Sequence, residues 1–376
     1  MTLHTRIQAI DIIRGFAVFG IFFVNWPSLV GIEVPGQERA YMGIDAWVRC
    51  LYDLVIQTKF YTMFSFLFGL GFYIFMKRAE EKTHKPKLLF LRRLFFLFVI
   101  GTLHFIFLWS GDILHSYAIA GCFLLFFYNR KPNTILVWSV SLLSLFMLFV
   151  FFAYSLTPHN GSLASTSSYA TPLTEWIKQV NERSIAFVSE QIVVNIVYIP
   201  ETLGLFLLGL YAGKKNVFGR AQELDSKLKQ LQIISFLLTI PSWYKIISYF
   251  TVNEIYNSGA VFPYIVASGK TLFIFYVVTL LRSHQTWQHL LTPLQYVGRM
   301  ALTNYLLQNI TTLTLFSLFL TNSNNLPLYT GIPFCIGFYM LQAWASKLWL
   351  NRFSQGPMEY IWRLGTYGFQ KQKSPD

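Results

Sequence analysis

Three residues that can do acid–base chemistry stand close together inside otherwise apolar sequence. They are His104 in Gly101-Thr102-Leu103-His104, and Asp112 and His115 in Trp109-Ser110-Gly111-Asp112-Ile113-Leu114-His115. A carboxylate that orients an imidazole and favours its charged form is a common way to make a general base. Asp112 and His115 share a helix face at i, i+3. His104 returns to them if the chain reverses at Ser110–Gly111 as an antiparallel helical hairpin. The alternative is a set of hydrogen-bonded structural residues, and the pattern alone leaves both open. A metal would need three or more converging ligands; none stands at suitable spacing, so no metal site is expected.

A second group occupies the opening apolar stretch, where Asp11 and Arg14 precede Asn25. At 100° per residue, Arg14 lies about 60° from Asp11, with Asn25 between them on the same stripe. Arg14 can pair with Asp11 or bind an incoming anion; Asn25 can polarise a carbonyl or join two helices. Glu201 follows Pro200 in the middle of another apolar run, where a carboxylate needs a partner such as Arg or a backbone donor. In Gly298-Arg299-Met300-Ala301-Leu302-Thr303-Asn304-Tyr305, Arg299 suits either a phosphate or membrane anchoring, with Asn304 one turn before Gln308. Gly69-Leu70-Gly71 lies inside a hydrophobic segment and reads as close helix packing, not as a nucleotide loop.

The elements that must position these groups follow from composition. Of 376 residues, 54% are hydrophobic and 12% charged, against roughly 25% charged in soluble domains. That excludes a soluble enzyme, a disordered scaffold and a nucleic-acid-binding module. A spanning helix takes about 20 apolar residues. Such runs fall near 12–30, 58–76, 88–109, 111–129 and 134–156, then near 191–213, 231–250, 259–281, 296–320 and 329–350. The expectation is an all-α polytopic bundle of about ten spans forming one integral membrane domain over 1–376, without a cleaved signal peptide. Lys and Arg cluster in alternate connections: Lys77 to Arg93, Arg130–Lys131, Lys214 to Lys229, Arg282 and Arg299, then Lys347 to Lys373. Connections 251–258 and 321–329 contain none. Positive charge collects on the cytoplasmic side, so both termini should be cytoplasmic, including the tail 351–376. The loop 157–190 should be external, either a lid on the membrane surface or a solvated connector. The net charge of +13 then reflects orientation and not a polyanionic partner. Cys50, Cys122 and Cys335 form neither a disulfide framework nor a redox motif.

Four segments together resemble the YeiB-like family of bacterial integral membrane proteins, whose conserved domain has no assigned function. They are Arg6-x-x-x-Ile10-Asp11-x-x-Arg14-Gly15 with Val24-Asn25, Gly111-Asp112-Ile113-Leu114 with Tyr117-Ala118, Gly298 to Tyr305, and Gly356-Pro357-Met358-Glu359-Tyr360-Ile361-Trp362-Arg363. The resemblance implies a multi-pass protein of the bacterial inner (plasma) membrane. The opening helix is also similar to that of transmembrane acyltransferases of the heparan-glucosaminide acetyltransferase type, which pass acyl groups from cytosolic acyl-CoA to a glycan across the membrane. That similarity covers Asp11, Arg14, Gly15 and Asn25. Those enzymes have a catalytic His soon after this helix. Here no His occurs between His4 and His84, so His104 or His115 would have to replace it.

Three functions follow. The first is an acyltransferase with acyl-CoA as co-substrate and no tightly bound cofactor, in which Arg14, Lys77, Arg78, Arg92, Arg93 and Arg299 attract phosphate, Asn25 polarises the thioester, and His104 with Asp112 activates a glycan, lipid or small-molecule acceptor. The second is a transporter of a small amphiphile using Glu201, His104 and Asp112. The third is a structural or regulatory membrane protein.

Overall fold

The computed structural model describes residues 8–33, 39–156, 173–189, 191–284, 286–319 and 326–368. They form fourteen α-helices: α1 (Gln8–Leu29), α2 (Gly43–Val55), α3 (Lys59–Glu80), α4 (Pro86–Phe107), α5 (Leu114–Phe127), α6 (Pro132–Leu156), α7 (Leu173–Ser189), α8 (Gln191–Lys214), α9 (Asp225–Val252), α10 (Phe262–Ser283), α11 (Gln288–Arg299), α12 (Ala301–Phe319), α13 (Gly331–Leu350) and α14 (Pro357–Tyr367). A two-residue ladder, β1 (Ala40–Tyr41) with β2 (Tyr256–Asn257), is antiparallel. Prolines at the starts of α4, α10 and α14 suit positions whose N–H has no helical partner.

Seven helical segments among the described residues are long and apolar enough to cross a membrane, including Gly43–Lys82, which joins α2 and α3. The expected ten resolve differently in three places. The run 111–129 is α5, whose 14 residues extend only about 21 Å. The run 296–320 breaks at Met300 into α11 and α12. The run 329–350 is α13, diluted by Gln342, Ser346 and Lys347. The polar residues of α12 and α13 satisfy one another: Gln308 donates to Gln342 at 2.9 Å, Gln342 to the Asn304 carbonyl at 2.9 Å, and Asn304 to Ser346 at 3.0 Å.

Helix α1 lies mostly buried. At Gly15 an added Cβ would fall 1.9 Å from the Leu294 carbonyl oxygen, and at Gly298 one would fall 1.8 Å from that of Asp11. Backbone therefore packs on backbone between α1 and α11, which only glycine permits. Gly69 and Gly209 do the same between α3 and α8. Helix α9 faces outward with Leu231, Ile234, Leu238 and Ile247 exposed, as lipid contact requires.

The basic helix ends gather at one end of the bundle. Arg282 at the end of α10 pairs with Asp225 at the start of α9, and Lys214 at the end of α8 donates to the Arg130 carbonyl between α5 and α6. At the opposite end Trp109 donates to Ser28 at 3.1 Å, tying the α4–α5 turn to α1. Two connections hold helices of their own. Within 157–190, residues 173–189 form a helix that packs on α4, with Arg183 donating to the Leu108 carbonyl at 2.6 Å; 157–172 and 190 lie outside the described residues. Within the tail, α14 folds onto α4 and α12.

Candidate functional site

A cavity of about 360 Å³ enters the bundle at its basic end. Its mouth is made by Arg14, Arg93, Arg299 and Arg363 with Glu359, from α1, α4, α11 and α14. Arg14 holds Asp11 at 3.0 Å. The Arg93 guanidinium lies 3.5 Å over the Trp362 ring, and Trp362 donates to the Arg93 carbonyl, a stacking that suits the planar group of arginine. Glu359 caps α12, accepting from the Leu302 and Thr303 amides at 2.7 and 3.1 Å. A carboxylate is favourable there because helix N-termini carry partial positive charge.

Beyond the mouth the wall turns apolar. Helix α3 lines it from Phe64 to Phe75, about 16 Å at helical rise. Gly71 lies on this wall, and a Cβ there would meet nothing within 4 Å. The far part is lined by Ile113, Leu114, Tyr117 and Tyr305. A basic mouth leading into an aromatic tube matches a ligand with an anionic head and a slender apolar or amide-bearing arm.

Behind the inner wall lies the acid–base group. The Tyr305 hydroxyl donates to Asp112 Oδ1 at 3.0 Å. His104 Nδ1 stands 3.3 Å from the same oxygen, and His115 Nδ1 stands 3.7 Å from Oδ2. Asp112 also accepts from the Leu114 amide at 3.0 Å. The other imidazole nitrogen of His104, Nε2, is 3.0 Å from the Asn309 amide nitrogen. With Asn309 donating, Nε2 accepts, and Nδ1 faces the carboxylate. Gly101 makes the meeting possible: a Cβ there would lie 2.4 Å from the His115 amide nitrogen, so α4 and α5 touch backbone to backbone. All three residues are buried. Phe187 of α7 packs on the His115 ring at 5.3 Å, covering the group from the end opposite the arginines.

The expected residues thus separate. His104, Asp112 and His115 come together, and Arg14 and Arg299 share the cavity mouth. Asn25 is buried in α1 and lines neither this cavity nor the second one described below. Asn304 lies in the α12–α13 network. Glu201 finds its partner in Lys270 of α10, an ion pair that also takes in Tyr61, whose hydroxyl donates to Glu201 at 2.5 Å. Sequence reasoning did not single out Tyr305, Tyr117, Asn309, Arg363, Glu359 or Lys270 as site residues. Tyr305 and Glu359 stood inside quoted motifs, and Lys270 is the intramembrane cation that Glu201 required.

The bundle defines a multi-pass α-helical membrane protein. Residues 212–369 match the family described as "Protein of unknown function (DUF418)". The whole chain is 31% identical to the uncharacterized protein YxaH of Bacillus subtilis (strain 168), over 97% of this chain and 95% of that one. It is 30% identical to an uncharacterized 39.9 kDa protein in the amylase 3' region of Bacillus acidopullulyticus, over 98% and 95%. To the uncharacterized protein YeiB of Escherichia coli (strain K12) it is 26% identical, over 95% of each. The chain belongs to this DUF418, YeiB-like family. Its four motifs meet at one place, since Arg14, Ile113 and Leu114, Arg299 and Tyr305, and Glu359 and Arg363 all line the arginine-mouthed cavity.

Proposed function

We propose that the protein is an acyltransferase of a bacterial plasma membrane, taking acyl groups from cytosolic acyl-CoA and passing them to an acceptor at the outer face. The observation that carries this reading is the cavity itself, with arginines at the end where basic connections gather and an aromatic tube leading to Tyr305 and Asp112. Arginines bind phosphate through paired donors, and their summed field concentrates an anionic ligand at the mouth. The basic end then faces the cytoplasm, as charge bias requires.

In this mechanism the donor phosphates rest among Arg14, Arg93, Arg299 and Arg363, and the pantetheine arm lies along α3. The thioester reaches the wall formed by Tyr305 and Leu114. His104, held by Asp112, takes the proton from an acceptor hydroxyl or amine once the Asn309 amide turns away from Nε2. The acceptor atom bonds to the thioester carbonyl carbon, the C–S bond breaks, and the CoA thiolate leaves and is protonated. Helix α7 is the cover through which the acceptor enters. Asn25 lies away from this path, so its contribution is to the helix and not to the carbonyl. Glu201, paired with Lys270, acts in the partition beside the cavity and not on the donor.

The test is equilibrium binding and turnover in nanodiscs. Acyl-CoA should bind at micromolar levels and more tightly than a fatty-acid anion of the same chain. Arg14→Lys should weaken binding about tenfold without lowering yield, because the charge stays and the planar fork is lost. His104→Ala should abolish transfer and leave binding intact. Absence of acyl-CoA binding by the wild type contradicts the reading. The second reading, a transporter of an anionic amphiphile, is favoured by one observation: another cavity enters from the opposite end. Movement of intact acyl-CoA into proteoliposomes without thioester cleavage would select it.

A further inference from the structure

The second cavity, about 510 Å³, shares no lining residue with the first. It lies at the end away from the arginine mouth, where the connection after α1, helix α2 and the β1–β2 ladder meet α6, α8 and α10. One side is polar. Arg49, itself buried, pairs with Glu33 and, at 3.3 Å, with Asp53, and it donates to Ser258 at 2.7 Å. Tyr256 donates to Asp53 at 2.8 Å. Arg49 is therefore held between two carboxylates.

Arg39 is different. It lines the cavity, donates one Nη1 hydrogen to the Ile32 carbonyl and lies 5.4 Å from the Tyr41 ring centroid. Among the described residues it makes no ion pair. Gln57 and Tyr198 also line the cavity, and among the described residues neither side chain makes a hydrogen bond. The wall thus offers one guanidinium outside any ion pair, an amide and a phenol, beside the carboxylate of Glu33. The other side is apolar, made by Phe146, Phe149, Val150, Phe262 and Ile265. Phe149 and Phe262 are each more than 40% exposed, and α6 turns most of its surface outward. The apolar side therefore opens toward lipid.

We infer that this cavity is a binding site for the hydroxylated anionic headgroup of a membrane phospholipid. The phosphodiester sits on Arg39, the headgroup hydroxyls meet Glu33, Gln57 and Tyr198, and the chains leave between α6 and α10 past Phe149 and Phe262. The Arg39 guanidinium, outside any ion pair, has donors left for the phosphodiester oxygens. A neutral or zwitterionic headgroup would forgo that pairing or place a second cation against Arg39 and Arg49. The size suits a headgroup with the first part of its chains. The site is independent of the acyl-transfer reading, because it uses none of the same residues.

The experiment is native mass spectrometry of delipidated protein titrated with phosphatidylglycerol, phosphatidylcholine or soluble glycerol 3-phosphate. One phosphatidylglycerol should be retained at least tenfold more tightly than phosphatidylcholine, and an equal concentration of glycerol 3-phosphate should not displace it. Arg39→Gln should lower phosphatidylglycerol retention to the phosphatidylcholine level. Lys245→Gln, an exposed cation of α9 lining neither cavity, should leave it unchanged. Tyr198→Phe removes one hydroxyl without altering the ring and should weaken retention severalfold, which keeps the test open if Arg39→Gln fails to fold. Equal retention of both lipids, retention unchanged in Arg39→Gln and Tyr198→Phe, or displacement by glycerol 3-phosphate would each overturn the assignment.

Discussion

Tyr305 has its ring on the wall of the arginine-mouthed cavity and its hydroxyl on Asp112 Oδ1, 3.0 Å away. It is the side chain through which the cavity touches the buried His104–Asp112–His115 group. Tyr305→Phe keeps the wall and removes the donor. Acyl-CoA affinity should change less than twofold, turnover should fall at least tenfold, and stability should drop by about 1 kcal/mol for one lost hydrogen bond. Unchanged turnover would detach the acid–base group from the cavity.

Two glycines two residues apart on α3 should behave oppositely. Gly69→Ala drives a methyl toward the Phe206 carbonyl, 1.9 Å from the new Cβ, and should cost about 1–3 kcal/mol in thermal unfolding through overpacking. Gly71→Leu places its side chain in open cavity space. It should leave the melting temperature intact or raised, since glycine disfavours a helix interior by about 0.5–1 kcal/mol, while acyl-CoA affinity falls at least tenfold. Normal affinity in a folded Gly71→Leu protein would mean that the ligand does not use this tube.

The opening helix, the hairpin at Gly111 and the motif at Gly298 were legible because intramembrane charge and glycine are costly and their spacing is regular. The meeting of His104 with Asp112 followed from the short turn alone. Three features were not legible. Tyr305 and Asn309 reach the group from α12, about 200 positions away, and no local pattern encodes that approach. Helix α14 reads as a polar tail, and only its docking turns Glu359 and Arg363 into site residues. The shortness of α5 was hidden because the expected span 111–129 counted Gly111, Asp112 and Asn129, which flank the 14 apolar-rich helical residues, as part of the helix.

The Glu201–Lys270 pair should reveal itself by non-additivity. Glu201→Gln leaves a buried ammonium without its carboxylate and should cost about 3–5 kcal/mol. Replacing both residues with Leu should recover most of that loss, because a buried ion pair is often no better than apolar packing. A thermal-unfolding cycle over the two singles and the double measures this. Additive losses would show that the two charges act separately.

Orientation is tested by labelling with a membrane-impermeant maleimide in intact cells, with Cys122 replaced by Ala because it is the exposed native cysteine. A cysteine at Glu254, exposed and far from the basic end, should label. One at Lys82, exposed in a basic connection, should label only after the cells are opened. The reverse pattern would invert the charge argument and send the arginine mouth outside.

The most direct measurement of the central claim is photolabelling with an acyl-CoA that carries a small diazirine at the acyl end, followed by peptide mapping. If the donor enters at the arginines and lies along α3, label should appear at Tyr305 and in the Ile113–Tyr117 segment. It should be competed by unmodified acyl-CoA and lost in Gly71→Leu. Label confined to Arg363 and the rest of α14, or labelling at Tyr305 that survives Gly71→Leu, would contradict the account.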